Sequence, residues 1–167
     1  MDQASPIAFI GGGNMARSLV GGLVARGVPK DTIRVSEPVP ALRESLHHDF
    51  GISAHAGNAD AVRGAPTWVF AVKPQVMREV CQALAPLAQQ ARPLVVSIAA
   101  GITSKQVERW LGGGIAIVRC MPNTPALLGA GVTGLPRRCR PRRASRDWPK
   151  TRPAPWCCRP SSARRGC

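Results

Sequence analysis

Acidic side chains are scarce in this sequence: nine Asp and Glu stand against 23 Lys and Arg, a formal charge of +14. A surplus of that size ordinarily points to nucleic acid or an anionic membrane, provided the charge belongs to the folded surface. It is unevenly placed. Residues 136–167 hold 11 basic residues and the single acid Asp147, 11 − 1 = +10, while the first 135 residues carry only 12 − 8 = +4. Those first 135 residues are also poor in cysteine, with only Cys81 and Cys120, no CxxC and no His/Cys cluster at metal-ligand spacing. A disulfide framework and a structural zinc are thereby excluded, and a reducing cytoplasm fits. No apolar run approaches the roughly 18 residues of a membrane span, and residues 1–6 are too short and too polar for a signal peptide. Internal repeats are absent. The reading that remains is a soluble, unexported chain whose 167 residues and 44% hydrophobic content suffice for one core of ordinary size.

From Ile7 onward, short β-prone apolar runs alternate with segments of helical period, the pattern of a parallel sheet covered by helices on both faces. Strands are predicted over 7–10, 33–36, 52–54, 68–72, 94–98 and 115–120, and helices over 14–26, 41–48, 58–63, 75–90 and 103–110. The 75–90 segment has the clearest stripe. Val76, Met77, Val80, Leu84 and Leu87 share one face, and Gln75, Arg78, Glu79, Gln82 and Gln89 the other. That stripe should lie on the sheet, with Met77 in the core. The fold class expected is α/β, a Rossmann-type doubly wound parallel sheet in the order 3-2-1-4-5-6.

The first strand runs into Gly11-Gly12-Gly13-Asn14-Met15-Ala16, a GxGxxA pattern that opens a helix. The small residues meet separate demands, with Gly11 allowing the tight turn, Gly13 the close backbone approach to a pyrophosphate, and Ala16 the close helix–sheet packing. The helix N-terminus then offers N–H groups and a positive dipole end to phosphates. A bare glycine turn without a ligand is the bland alternative, and the strand before and helix after weigh against it. The second strand ends Val35-Ser36-Glu37 beside the expected adenosine ribose. A carboxylate there selects the 2′-hydroxyl of NAD, whereas a nearby Arg selects the 2′-phosphate of NADP. Glu37 as a ribose contact and Glu37 as a solvated loop acid both stay open. His47, His48 and His55 are read as surface helix-end residues, and Cys81 and Cys120 as buried structural ones.

Two further segments end strands at the carboxyl edge, where open α/β sheets place ligands. Val72-Lys73-Pro74-Gln75 sets Pro74, which lacks an N–H, at the first turn of the next helix. Arg119-Cys120-Met121-Pro122-Asn123-Thr124-Pro125-Ala126 brackets two polar residues between prolines. Together with the glycine loop and Ser97-Ile98-Ala99-Ala100-Gly101-Ile102, these segments resemble pyrroline-5-carboxylate reductases over residues 7–135, in the family's order and spacing.

The resemblance implies an oxidoreductase that uses NADPH or NADH to reduce 1-pyrroline-5-carboxylate to proline, without metal or covalent nucleophile. It implies cofactor contacts at Ile10, Gly11, Gly12, Gly13, Asn14, Met15, Ser36, Asn58, Val72, Lys73, Pro74 and Ala99, with Asn123 near the nicotinamide. In the family a C-terminal helical domain holds the substrate and forms the homo-oligomer. Two other readings are a non-catalytic nucleotide-binding module and a relative of the β-hydroxyacid dehydrogenases. The latter need an acid/base lysine on a later helix, which this chain does not contain.

The resemblance breaks off at Leu135. Residues 136–167 take four of the six Cys and six of the 16 Pro but one of the 17 Gly, and show no helical or strand period. They are expected to form a disordered basic tail, so the chain divides into a truncated dinucleotide-binding domain, 1–135, and a tail, 136–167. Read one base earlier, the codons from Trp148 to Cys167 allow an apolar run similar to a helix of the family's C-terminal domain. A frameshift after Leu135 is therefore expected, leaving an inactive fragment of the parent enzyme. A genuine phosphate-binding tail is the rival.

Overall fold

A computed structural model of the chain describes residues 5–122. Asn123, the Leu135/Pro136 junction and the basic tail lie outside the described residues. Six strands pair in parallel: β1 (Ile7–Ile10), β2 (Ile33–Ser36), β3 (Ser53–His55), β4 (Thr67–Phe70), β5 (Leu94–Ser97) and β6 (Ala116–Arg119). Their order is β3-β2-β1-β4-β5-β6, as the sequence predicts. Parallel neighbours need a crossover, and the crossovers carry α1 (Asn14–Ala25), α2 (Pro40–Phe50), α3 (Asn58–Val62), α4 (Pro74–Ala91) and α5 (Ser104–Trp110). The central strands Ile-Ala-Phe-Ile and Thr-Trp-Val-Phe are near-continuous apolar runs because both faces of the sheet are covered.

Two apolar clusters sandwich the sheet. On one face Phe9, Ile33 and Val35 meet Ala16, Val20 and Leu23 of α1 and Leu46 of α2. On the other, Ile10, Trp68, Phe70 and Val95 meet Met77, Cys81 and Leu84 of α4 and Val107 and Leu111 of α5. Trp68 is fully buried, and its indole N–H donates to the Ala65 carbonyl at 2.8 Å, so the largest side chain of the core leaves no donor unsatisfied. The two helices on the α1 side are tied together by Arg17. Its guanidinium donates to Ser45 and Asp49 of α2 and lies 5.4 Å from the Phe50 ring centre. Hydrogen bonds from His48 and then Arg17 hold the Asp49 carboxyl below its ordinary range.

Several predicted boundaries shift. β3 occupies 53–55 rather than 52–54: α2 ends in a left-handed Gly51 at φ 66°, and Ile52 is spent on the core before the ladder begins. β4, β5 and β6 stop before Val72, Ile98 and Cys120, since backbone at the carboxyl edge leaves the ladder. On α4 the buried stripe is Met77, Cys81, Leu84 and Ala88, so Val76 is 43% exposed instead of facing the sheet. One residue is about 100° of helix turn, enough to rotate Val76 off the seam.

Cys81 is buried as expected, and burial pushes its thiol up to about 12, whereas Cys120 is only half-buried at the end of β6. At pH 8 only about one Cys81 in ten thousand is thiolate, the form that alkylates. Iodoacetamide is therefore expected to leave Cys81 unmodified in the folded chain and to label it in denaturant. Peptide mass mapping showing native labelling of Cys81 as fast as Cys120 would contradict this burial.

Candidate dinucleotide-binding site

The carboxyl ends of β1, β2 and β4 converge on the glycine loop, and each glycine there has a distinct cause. Gly11 sits at φ +99°, and a Cβ on it would come within 2.9 Å of the Ala71 carbonyl oxygen. The loop thus turns sharply while passing against the exit of β4. Gly12 is packed from the other side, where a Cβ would lie 2.8 Å from Leu46 Cδ1 and 3.0 Å from Glu37 Cβ. Gly13 is exposed, and a Cβ there would meet nothing within 4 Å. It is the N-cap of α1 and has no side chain to cap with, so the first N–H groups of the helix, at Asn14 and Met15, lack an intrahelical partner. Ala16 behind them is fully buried against the sheet. Open space, free N–H groups and a helix dipole coincide at one point, which is what a pyrophosphate requires.

Glu37 is not the solvated loop acid that the sequence left open. It is 7% exposed, and its two oxygens accept separate backbone N–H groups, Oε2 from Gly12 at 2.9 Å and Oε1 from Val39 at 3.1 Å. The carboxylate therefore clamps the glycine loop to the loop after β2. Sequence reasoning missed this clamp, and it also takes the Gly12 N–H out of the donors available to a phosphate. Beside it, the buried Ser36 hydroxyl donates to Asn58 Oδ1 at 2.7 Å, so these two predicted residues do come together, at the first turn of α3. Val72 packs on the core, Lys73 is the exposed N-cap of α4, and Pro74 opens that helix, as predicted. Ala99 is buried just past β5, and Ile10 is the last residue of β1. Asn123 is outside the described residues.

The strand registers define one lateral row across the carboxyl edge: His55, Ser36, Ile10, Phe70, Ser97 and Arg119. Paired residues of neighbouring parallel strands point to the same face. Among the described residues, the buried side-chain polar atoms without a hydrogen-bond partner are His55 Nε2, Ser97 Oγ and Arg119 Nε, all in this row. An unsatisfied buried group costs about 1–3 kcal/mol, so its confinement to the edge where open sheets take ligands is informative. His55 thereby departs from the surface position predicted for it: it sits half-buried on β3, while His47 and His48 are exposed at the end of α2. A concavity of about 250 Å³ lined by Val62, Arg63, Trp68, Leu87 and Gln90 lies at the opposite end of the sheet. It has no part in this site.

Residues 6–101 match the family described as NADP oxidoreductase, coenzyme F420-dependent. The chain belongs to that family. The pyrroline-5-carboxylate reductase of Pseudomonas aeruginosa is 54% identical over 129 residues, 77% of this chain and 47% of that protein. Among solved structures, a pyrroline-5-carboxylate reductase from Coxiella burnetii aligns with a TM-score of 0.76 at 39% identity, covering 80% of this chain and 49% of that one. The Plasmodium falciparum pyrroline carboxylate reductase with NADP bound aligns with a TM-score of 0.68 at 24% identity, over 81% of this chain and 50% of that one, a likeness of fold. The chain spans about half the length of the curated relatives it matches. The resemblance read from the motifs therefore holds, and the family's members carry this Rossmann fold. No helix among the described residues is long and apolar enough to cross a membrane.

Proposed function

We propose that this chain is the dinucleotide-binding half of an enzyme that reduces 1-pyrroline-5-carboxylate to L-proline with NADPH, the last step in making that amino acid. The observation that carries the proposal is the uncapped start of α1 behind Gly13, open to a pyrophosphate and set in a stretch 54% identical to a pyrroline-5-carboxylate reductase. The residues fit the cofactor. Gly13, Asn14 and Met15 would receive the pyrophosphate, Ser36 and Asn58 the adenosine ribose, and Val72, Lys73, Pro74 and Ala99 would line the path towards the nicotinamide, near Asn123.

A reduced nicotinamide, when bound, supplies hydride to the imine carbon. That carbon is already electrophilic, so what the protein must provide is alignment and exclusion of water, with no metal or covalent nucleophile. The fixed loops of this half align one reactant. In this reading a second, helical domain holds the other, forms the homo-oligomer, and joins in frame after Leu135; the site of action is the cytoplasm.

The chain alone is then expected to bind NADPH but to turn over pyrroline-5-carboxylate negligibly, since alignment accounts for about 7–11 kcal/mol of such barriers. Fusing an in-frame C-terminal domain after Leu135 should raise turnover by orders of magnitude. Equal rates from the chain and the fusion in an NADPH-oxidation assay would refute the assignment of substrate binding to that second domain. Failure of NADPH to bind either would refute the site itself.

A further inference from the structure

Glu37 stands just past β2, where a dinucleotide-binding sheet ordinarily presents an acid to the ribose. In this chain its four polar atoms are all engaged, each with a different partner. Its N–H donates to the His55 carbonyl of β3 at 2.9 Å, and its own carbonyl accepts from the Arg43 guanidinium of α2 at 2.8 Å. The two carboxylate oxygens hold the N–H groups of Gly12 and Val39. Turning the side chain towards a ribose would strand the Gly12 N–H in a buried loop, and with 7% of its surface exposed the residue has little left to offer a ligand.

What the carboxylate fixes is the stretch of loop just before the phosphate donors. Gly11 N–H donates to the Ser36 carbonyl at 2.9 Å and Gly12 N–H to Glu37 Oε2, so two successive peptide groups are pinned to the exit of β2. The contact is steric as well as polar, since a Cβ on Gly12 would lie 3.0 Å from Glu37 Cβ. The next three N–H groups, from Gly13 to Met15, are those that would receive the pyrophosphate. Ser36 and Asn58, which would receive the adenosine ribose, are joined to each other on the strand side of the clamp and do not depend on the carboxylate. Glu37 thus sets the spacing between two parts of one ligand's site. Donors held in place before a ligand arrives lose less freedom when it binds.

We propose that Glu37 is a positioning residue for the phosphate loop and not a ribose ligand: its carboxylate holds the loop at the spacing that a pyrophosphate joined to an adenosine requires. The proposal rests on the dinucleotide reading above. Its signature is the class of ligand that suffers when the carboxylate is lost. Every molecule that spans both parts of the site should bind more weakly, whatever stands at its 2′ position, whereas a ligand confined to the adenosine part should not.

The test titrates NADPH, NADH and adenosine separately into the full 167-residue chain and its Glu37 variants, with a thermal melt of each sample. In Glu37→Gln, which keeps the shape and one acceptor, NADPH and NADH affinities are expected to fall together by about tenfold, their ratio changing by less than about twofold. Adenosine affinity should move by less than about threefold. Glu37→Ala, which removes both acceptors, should weaken the two dinucleotides further and again spare adenosine; if that variant does not fold, Glu37→Gln decides alone. A ribose ligand would behave differently: adenosine and NADH would weaken while NADPH held, and that result overturns the proposal. So do unchanged affinities for all three, and so does an equal fall for all three with a lowered unfolding midpoint, which marks general loss of structure. If the unmodified chain binds neither dinucleotide, the dinucleotide reading fails and the positioning role falls with it; if it binds both and the variants bind them equally well, only the positioning role falls.

Discussion

Gly13→Val is expected to remove most dinucleotide affinity while leaving the fold intact. The backbone at Gly13 is extended, φ −69° and ψ −177°, a conformation a β-branched residue accepts readily. A Cβ there meets no protein atom within 4 Å, so stability should change by no more than about 1 kcal/mol. The same empty space is where a pyrophosphate must approach the first N–H groups of α1, and a valine side chain would fill it. An affinity loss of about 10- to 100-fold corresponds to about 1.4–2.8 kcal/mol, within what displaced charge-assisted hydrogen bonds supply. Fluorescence titration with NADPH, beside a thermal melt of the same sample, measures both quantities. Unchanged affinity in a folded variant would show that the glycine loop is not the phosphate site.

Two residues earlier a similar substitution should have the opposite outcome. Gly11→Ala places a methyl group 2.9 Å from the Ala71 carbonyl oxygen and 3.0 Å from Val72 Cγ1, at a positive φ of 99° that alanine resists. Left-handed strain contributes about 1–2 kcal/mol and overpacking about 1–3 kcal/mol. Their sum, about 2–5 kcal/mol, is a large part of the roughly 5–15 kcal/mol that holds a typical domain together. The expected result is a fall of about 10 °C or more in the unfolding midpoint, with lost binding as a secondary effect. A variant that melts with the unmodified chain would mean that β1 and β4 do not approach as closely as the loop geometry requires. Side by side, the two substitutions separate the glycine that shapes the loop from the one that leaves room for a ligand.

Local pattern carried most of the fold. The β-prone runs of β1, β2, β4 and β5, the helical periods between them, and Pro74 and Thr103 at helix starts are all short-range signals, and Thr103 does form a capping box with Gln106. Errors arose where a segment was too short for its period to settle its face: β3 has three residues, and both its start and the inward turn of His55 escaped. The Val76 error has a similar root, since a stripe of five apolar residues on α4 can be centred on either of two adjacent lines. In the site, Gly11, Gly13, Ser36 and Asn58 were legible because a motif or a resemblance points to each. The Glu37 clamp was not. Its partners, Gly12 and Glu37, are separated by 25 positions and meet only because β1 and β2 lie side by side, and neither residue type announces the bond.

The strand order has a consequence for how such a chain assembles. β1 precedes all its partners in sequence and lies between β2 and β4 in the sheet. Growth can therefore run outward: β2 is laid on β1 and β3 on β2, then β4 returns to the opposite flank of β1, followed by β5 and β6. No strand has to be threaded between two that are already paired. Each addition closes only the loop formed by one crossover, whose entropic cost rises slowly with length. The face made by α1 and α2 draws mainly on strands laid down early, whereas the opposite face waits for α4 and α5. A nascent chain can thus bury one side of the sheet while the other is still being synthesised, whereas the glycine loop, tied to the end of β2 by the Glu37 clamp, is completed only when Ala71 at the exit of β4 packs against Gly11.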